Sequence, residues 1–284
     1  MTNDRIKNAL TIDVEDWYQC MVFDYRTWPS YEDRIVYSTT KVLDMLRDAG
    51  VRATFFVLGY VAETHPQLVE QIAAEGHEVQ SHGQHHEFVY KLTPDEFRAD
   101  LERSGRAIEQ VTGRMPVGYR APFFSITERN WWAFDVLAEM GFCYDSSVYP
   151  VHNPRYGVPG ASRFPHRIQA QNQATLAELP TSTVRMGINL PVGGGVYFRA
   201  MPYALIKRAV ARVNQERRPA ILYFHPWEID PEQPVLAGLN PFFKARRYLN
   251  LDKAEGKWRA LLDDFEFAPV GEVFRREIYP SPGV

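Results

Sequence analysis

The chain has 284 residues, 45% hydrophobic, 13% aromatic and 24% charged, figures that describe an ordinary folded protein and exclude a disordered, fibrous or low-complexity one. Lysine plus arginine number 32 against 35 for aspartate plus glutamate, a formal net charge of −3, so a surface that tracks nucleic-acid phosphates is not expected. The length fits either two average domains or one large α/β barrel of about 250 residues.

Short apolar runs alternate with helical periodicity, the pattern of βα units around a largely parallel sheet. Residues 8–14 (NALTIDV) predict the first strand. Ile35, Val42, Leu43 and Leu46 give 31–49 a helical spacing that stops at Gly50, and ATFFVLG (53–59) predicts the second strand. Pro66 opens a helix ending at Gly76, followed by a strand at 77–81. Thr93-Pro94-Asp95-Glu96 is a capping box with proline at the first helical position, so a helix is expected from 94 to about 111, closed by Gly113. A strand at 117–121, a helix over 128–140 capped by Thr127, and a strand at 142–146 continue the rhythm. Residues 147–174, with prolines 150, 154, 159 and 165 and glycines 157 and 160, mark a long irregular insertion. Strands at 175–179 and 220–224 flank a loop (LPVGGGVYF) and a helix begun by Pro202. One helix near 256–265 is legible in the last sixty residues. There is no internal repeat or linker, so the expectation is one barrel-like α/β domain over 1–225, with 226–284 a C-terminal extension packed on it. Cys20 and Cys143 lie outside any CxxC spacing and read as free thiols of a reducing compartment. The N-terminus reaches an acidic cluster before any apolar run long enough for a signal-peptide core, and no later run approaches the roughly 20 apolar residues of a membrane span. A cytoplasmic protein is expected.

Polar residues gather at strand ends of one polarity: Asp13, Glu15 and Asp16 after the first strand, Ser81 and His82 after the third, Arg120, Asp145, then Pro180-Thr181, and His225 after the last. In α/β barrels the carboxyl ends of the strands carry the active site, so these residues should converge. SHGQHH puts His82, His85 and His86 within five residues of a chain holding eight histidines. A spacing of four lets His82 and His86 face one ion if the loop takes a helical turn, with His85 as competing partner, and imidazoles with a carboxylate suit a divalent metal such as zinc. An extended 11–15 aims Asp13 and Glu15 to one face, where one could bind metal and the other act as base, with Arg120 keeping Asp13 ionised. His225 could protonate a leaving group. Phe123, Phe124, Tyr149, Tyr197 and Trp227, in loops on the same side, suit stacking on sugar rings, with core packing the equal alternative for Phe123 and Phe124. His77 and His166, standing alone, read as structural. Gly193-Gly194-Gly195 lacks the GK[ST] ending of a phosphate loop.

At these residues the sequence resembles the NodB-like polysaccharide deacetylases, metal-dependent carbohydrate esterases that remove N-acetyl groups from amino sugars. TIDVED (11–16), SHGQHH (81–86), RAPFF (120–124), YDSSVYP (144–150) and LYFH (222–225) stand in the family's order. DVEDW, RAPFFSI, YDSSVYP and FHPWEID look most like the branch associated with exopolysaccharide synthesis and exosortase A systems, which carries a C-terminal extension. The resemblance implies a distorted (β/α)7–8 barrel and a divalent metal, zinc by expectation, on His82, His86 and an acidic residue. It further implies Asp13 as general base, Arg120 orienting it, and His225 as general acid tuned by Asp145. The commoner pattern has two adjacent aspartates; here Val14 follows Asp13, leaving Glu15, favoured by strand geometry, or Asp16 as the metal carboxylate. The implied substrate is an amino-sugar polysaccharide or oligosaccharide, or a lipid-linked precursor met at the inner membrane surface. The rival readings are a metal-free cyclic-amide hydrolase of the same barrel, resembling allantoinases, and a carbohydrate-binding pseudoenzyme.

Overall fold

The computed structural model describes residues 6–153, 155–171 and 174–280. Pro154, one of the prolines that mark the insertion, lies outside the described residues, as do residues 172–173, the first five residues of the chain and the last four of the C-terminal extension. The strands in chain order are β1 (Asn8–Val14), β2 (Thr54–Val57), β3 (Glu78–Ser81), β4 (Gly118–Tyr119), β5 (Tyr144–Asp145), β6 (His166–Gln169), β7 (Thr175–Glu178), β8 (Thr183–Met186), β9 (Ile188–Pro191), β10 (Ile221–Phe224) and β11 (Phe267–Ala268). Nine form one sheet in the order β10-β1-β2-β3-β4-β5-β7-β6, with β11 beside β1. Every pairing in it is parallel except β6 with β7. All seven residues of β1 are buried, because a parallel strand is covered on both faces and so needs apolar or fully bonded side chains throughout. The sheet curls into a barrel open at one seam. There Ser182 donates its N–H to the Ile221 carbonyl (3.1 Å) and accepts the Ile221 N–H on its hydroxyl (2.8 Å).

The helices are α1 (Ile35–Asp48), α2 (Gly59–Thr64), α3 (Pro66–Ala74), α4 (Pro94–Thr112), α5 (Ala133–Glu139), α6 (Gly195–Ala200), α7 (Tyr203–Gln215), α8 (Pro241–Tyr248), α9 (Leu251–Asp264), α10 (Val270–Val273) and α11 (Arg275–Ile278). Those with amphipathic spacing lay their apolar stripe on the sheet: Ile35, Val42, Leu43 and Leu46 of α1 join Leu10, Ile12 and Phe55 in the main core. At Thr93 the expected capping box forms, the hydroxyl accepting the Glu96 N–H and Glu96 accepting the Thr93 N–H.

Four expectations are corrected. The helix over 128–140 is broken: Thr127 and Asn130 cap a single 3-10 turn, Glu128–Asn130, and α5 begins only at Ala133. The irregular insertion contains β6, which adds an antiparallel edge to β7; the surrounding prolines and glycines outweigh four strand-forming residues when read locally. The segment before the glycine triplet holds the β8–β9 hairpin, turned at Gly187 with φ +76°, and α6 starts inside what reads as loop. The triplet itself is a close backbone approach to β10: Tyr223 donates its N–H to the Gly193 carbonyl (2.7 Å), and a Cβ on Gly194 would lie 1.7 Å from the Tyr223 carbonyl oxygen. Only glycine fits there.

Residues 226–280 close over the barrel. Trp258 of α9 is buried, stacked on Phe198 (3.9 Å) and Phe224 (4.5 Å), and β11 pairs with the start of β1.

His77 is structural, as a lone histidine usually is. It is 8% exposed, packs 4.9 Å from Phe55 and accepts the Ala53 N–H on Nδ1, a bond that imidazolium cannot accept. Burial pushes its pKa down to about 4, against about 6.5 unfolded. The unfolded chain therefore binds a proton first as pH falls, and stability present above pH 6.5 is lost toward pH 4, by about 2 kcal/mol after allowing for partial exposure. Urea titrations at pH 7 and pH 5 should show the acid loss shrink in His77→Gln.

Candidate active site and metal centre

The carboxyl ends of β1, β3 and β10 deliver Asp13, His82 and His225 to one cavity of about 250 Å³, which Glu15 and His86 also line, while Arg120, at the end of β4, contacts Asp13 but is not part of the cavity wall. Arg120 is fully buried. One Nη donates to Asp13 Oδ1 (2.8 Å) and Thr11 Oγ1 (2.6 Å), the other to Ser146 Oγ (2.9 Å), while the guanidinium lies 4.3 Å over the Phe56 ring. This fixes Asp13 with one oxygen on the arginine and the other 4.0 Å from His225 Nε2. The ion pair and the hydrogen bonds around the guanidinium fix the orientation of Asp13 and leave its second oxygen facing His225.

Glu15, His82 and His86 present ligand atoms all within 4.8 Å of one another, and all three are buried. His82 Nδ1 bonds the Arg120 carbonyl (2.7 Å), leaving Nε2 for the cavity, the usual outer-shell orientation of a metal-binding imidazole. Burial pushes the His82 pKa down to about 4, so the ring is neutral and able to ligate. Glu15 accepts the Trp227 indole N–H on Oε1 (3.0 Å); its Oε2 is buried without a hydrogen bond, 2.5 Å from His86 Nε2. Burial alone would raise the Glu15 carboxyl, but His86, His225 and His82 around it hold it well below the usual carboxylate range. One carboxylate with an orphaned oxygen and two imidazoles form a donor set that fits a divalent cation of the zinc type.

His82 and His86 come together without the helical turn that a spacing of four suggests. Residues 82–86 form no helical turn; Gly83 (φ +77°) and His86 (φ +56°) are left-handed and bend the loop back on itself. His85 instead stacks on Tyr25 at 3.7 Å. Asp16, the alternative metal carboxylate, is corrected: its oxygens accept the N–H groups of Trp17 (2.7 Å), Arg34 (2.8 Å) and Ile35 (3.0 Å). It anchors the start of α1, whose unsatisfied N–H groups need an acceptor.

Asp145 is also corrected as the partner of His225. Its oxygens accept the hydroxyl and N–H of Ser147 (2.6 and 2.8 Å). Glu178 lies beside it; burial together with Asp145 pushes Glu178 well above its ordinary value, and burial raises Asp145 as well. The group that holds His225 is Glu228, on the turn after β10: its Oε1 is 2.7 Å from Nδ1, and its Oε2 is 2.7 Å from Arg199 Nε. Burial opposes charging His225, yet Glu15, Glu228 and Asp13 outweigh it and raise its pKa. Arg199 is held in turn by the Arg247 and Leu249 carbonyls (2.9 and 2.8 Å) of the C-terminal segment. Glu228 was readable as the fourth residue of HPWE, a capping box at a strand end; Arg199 had no local signal. Glu228→Gln should keep the fold and lower turnover about 10²-fold through a misoriented His225. Steady-state kinetics with a melting curve check it, and unchanged turnover would dismiss Glu228 as an orienting group.

Of the loop aromatic residues, Phe123, Phe124, Tyr197 and Trp227 line the cavity. Phe123 has φ +56° and Phe124 φ +53°, strain of about 1–3 kcal/mol each that a rigid surround must hold. Tyr149 is corrected: it is fully buried behind Phe124 and Tyr156 and is absent from the cavity wall. Trp227 is corrected as a sugar platform, since His225 stacks on one face (5.2 Å, 16°) and the Arg247 guanidinium lies 3.1 Å from the ring centroid. It orients Glu15.

Residues 21–143 match the family model described as polysaccharide deacetylase, and residues 146–275 match a domain of unknown function, DUF3473. The fold is the mixed α/β fold of NodB-like deacetylases. A crystal structure of a Mycobacterium smegmatis protein classed with the polysaccharide deacetylases superposes with a TM-score of 0.64 at 24% identity, covering 100% of this chain and 96% of that one. A peptidoglycan-N-acetylglucosamine deacetylase of Bacillus cereus is 36% identical over 120 residues, 38% of this chain and 44% of that protein. A chitooligosaccharide deacetylase of Bradyrhizobium is 33% identical over 129 residues, 45% of this chain and 56% of that protein. The chain thus spans about half the length of these relatives. Among the described residues no helix is long and apolar enough to cross a membrane.

Proposed function

We propose that the protein is a metal-dependent deacetylase that hydrolyses N-acetyl groups of amino sugars in a polysaccharide or its precursor. The observation that carries this reading is the meeting, in one cavity, of the Arg120-held Asp13, the Glu15–His82–His86 cluster and the Glu228-held His225. A divalent cation on Glu15, His82 and His86 would supply Lewis acidity toward the acetamide carbonyl and acidify a water. Asp13 Oδ2, the oxygen not committed to Arg120, removes the proton from the attacking water, which adds to the carbonyl carbon. His225, whose pKa the acids around it raise, delivers the Nε2 proton to the departing sugar amine as the C–N bond breaks, leaving acetate. Phe123 and Tyr197 flank the sugar. Asp145 and Glu178 serve the fold of the β5–β7 region instead of the proton transfers.

The strings DVEDW, RAPFFSI, YDSSVYP and FHPWEID, together with the DUF3473 match over the second half, support the exopolysaccharide-associated branch. On that reading the substrate is a precursor modified at the inner membrane surface, and the metal is zinc. Acetate release from an N-acetylglucosamine oligomer, abolished by chelation and restored by zinc, is the expected result. No acetate from any N-acetylated glycan, with metal supplied, would overturn the reading.

A further inference from the structure

The described residues include three buried arginines, and two have carboxylate partners: Arg120 with Asp13 and Arg199 with Glu228. The third, Arg247 at the end of α8, has none. It is 8% exposed and lines the active-site cavity. One Nη donates to the Trp17 carbonyl (2.5 Å), its plane rests on Trp227, and its Nε is buried without an acceptor. A buried, unpaired cation costs several kcal/mol, and a desolvated cation–π contact returns only about 2. Arg246, its neighbour, and Arg155, from the insertion, are exposed, line the same cavity and have no ion-pair partner among the described residues. Arg155 meets α8 across the mouth, 6.0 Å from the Phe243 ring. The cavity therefore has an acidic wall, with Asp13 and Glu15, and a basic wall built by the C-terminal segment and the insertion.

We propose that the basic wall binds an oxyanion carried by the glycan, a sugar carboxylate or a phosphate ester, with Arg247 as the buried anchor and Arg246 and Arg155 as the outer clamp. Guanidinium groups match both anions bidentately. A neutral N-acetylglucosamine polymer leaves the buried Arg247 without a counter-charge, so the preferred substrate bears a negative charge next to the N-acetylated residue, within reach of the exposed Arg246 and Arg155. This inference rests on the deacetylase reading.

The test compares three metal-loaded assays: a neutral N-acetylglucosamine tetramer, a tetrasaccharide alternating N-acetylglucosamine with glucuronic acid, and the tetramer phosphorylated at its reducing end. The expected result is at least a tenfold higher kcat/KM, expressed in KM and weakened by 0.5 M salt, for one charged substrate. Which one is favoured identifies the anion. R155Q/R246Q should cut that preference several-fold and R247Q should abolish it; if R247Q fails to fold, the double variant still decides. Equal kcat/KM on neutral and charged substrates, or a preference unaltered in R155Q/R246Q, overturns the proposal. If no substrate releases acetate, the deacetylase reading fails separately. Calorimetric binding of the same three oligosaccharides then decides the anion site, which stands only if a charged one binds more tightly than the neutral tetramer and the variants lose the difference.

Discussion

Replacing Asp13 with asparagine is expected to lower kcat for acetate release by about 10³-fold while KM and bound metal stay near wild type. The asparagine carbonyl can still accept the Arg120 bond that Asp13 Oδ1 receives at 2.8 Å, so positioning survives and the proton acceptor is lost. Arg120 would then be a buried cation without a counter-charge, and removing one partner of such a pair costs up to about 3–5 kcal/mol. A lower melting temperature should accompany the kinetic loss. Turnover, metal content by elemental analysis and a melting curve on the same preparation test this. Parallel loss of metal would make Asp13 a ligand, and unchanged kcat would remove it as the base.

The paired change His82→Ala and His86→Ala is expected to take divalent metal from one per chain to a trace, and acetate release with it. Neither ring is a packing element of the main apolar core. Removing both rings takes away two of the imidazoles that offset the buried Glu15 carboxylate, so a lower melting temperature should accompany the metal loss. Glu15→Gln should behave alike. Asp16→Asn is the discriminating control, expected to keep its metal and lose about 1 kcal/mol of stability through weaker anchoring of α1. Metal loss on Asp16→Asn with retention on Glu15→Gln would reverse the assignment.

Much of the site was legible because strand ends are legible. A fully apolar run such as ILYF before His225, or a strand-forming one such as NALTIDV before Glu15, announces both a buried parallel strand and the residue that leaves it toward the functional face. The helix of residues 94–112 was equally plain, since Thr93, Pro94 and Glu96 satisfy its first N–H groups with local chemistry. What failed were assignments in which several groups compete for one role. Sequence offered Asp145 to His225 because both end strands; the fold gives His225 to Glu228, three residues away on the same turn, and couples Asp145 to Glu178 across β5 and β7. Trp227 and Tyr149 read alike as loop aromatics, yet one is sandwiched between His225 and Arg247 and the other lies beneath the cavity wall.

By itself the sequence determined the alternation of buried strands and amphipathic helices, and the polarity of the end at which acids, histidines and an arginine collect. These depend on periods of two and 3.6 residues and on caps, which act over a few positions. Only the tertiary structure decided which carboxylate faces the histidines, which acid orients His225, and that the C-terminal segment reaches the site through Arg199 and Arg247. Those outcomes depend on contacts between residues far apart in the chain, Trp227 with Glu15 and Arg247 with Trp17 among them, where burial makes each unsatisfied group costly and so selects one pairing among many.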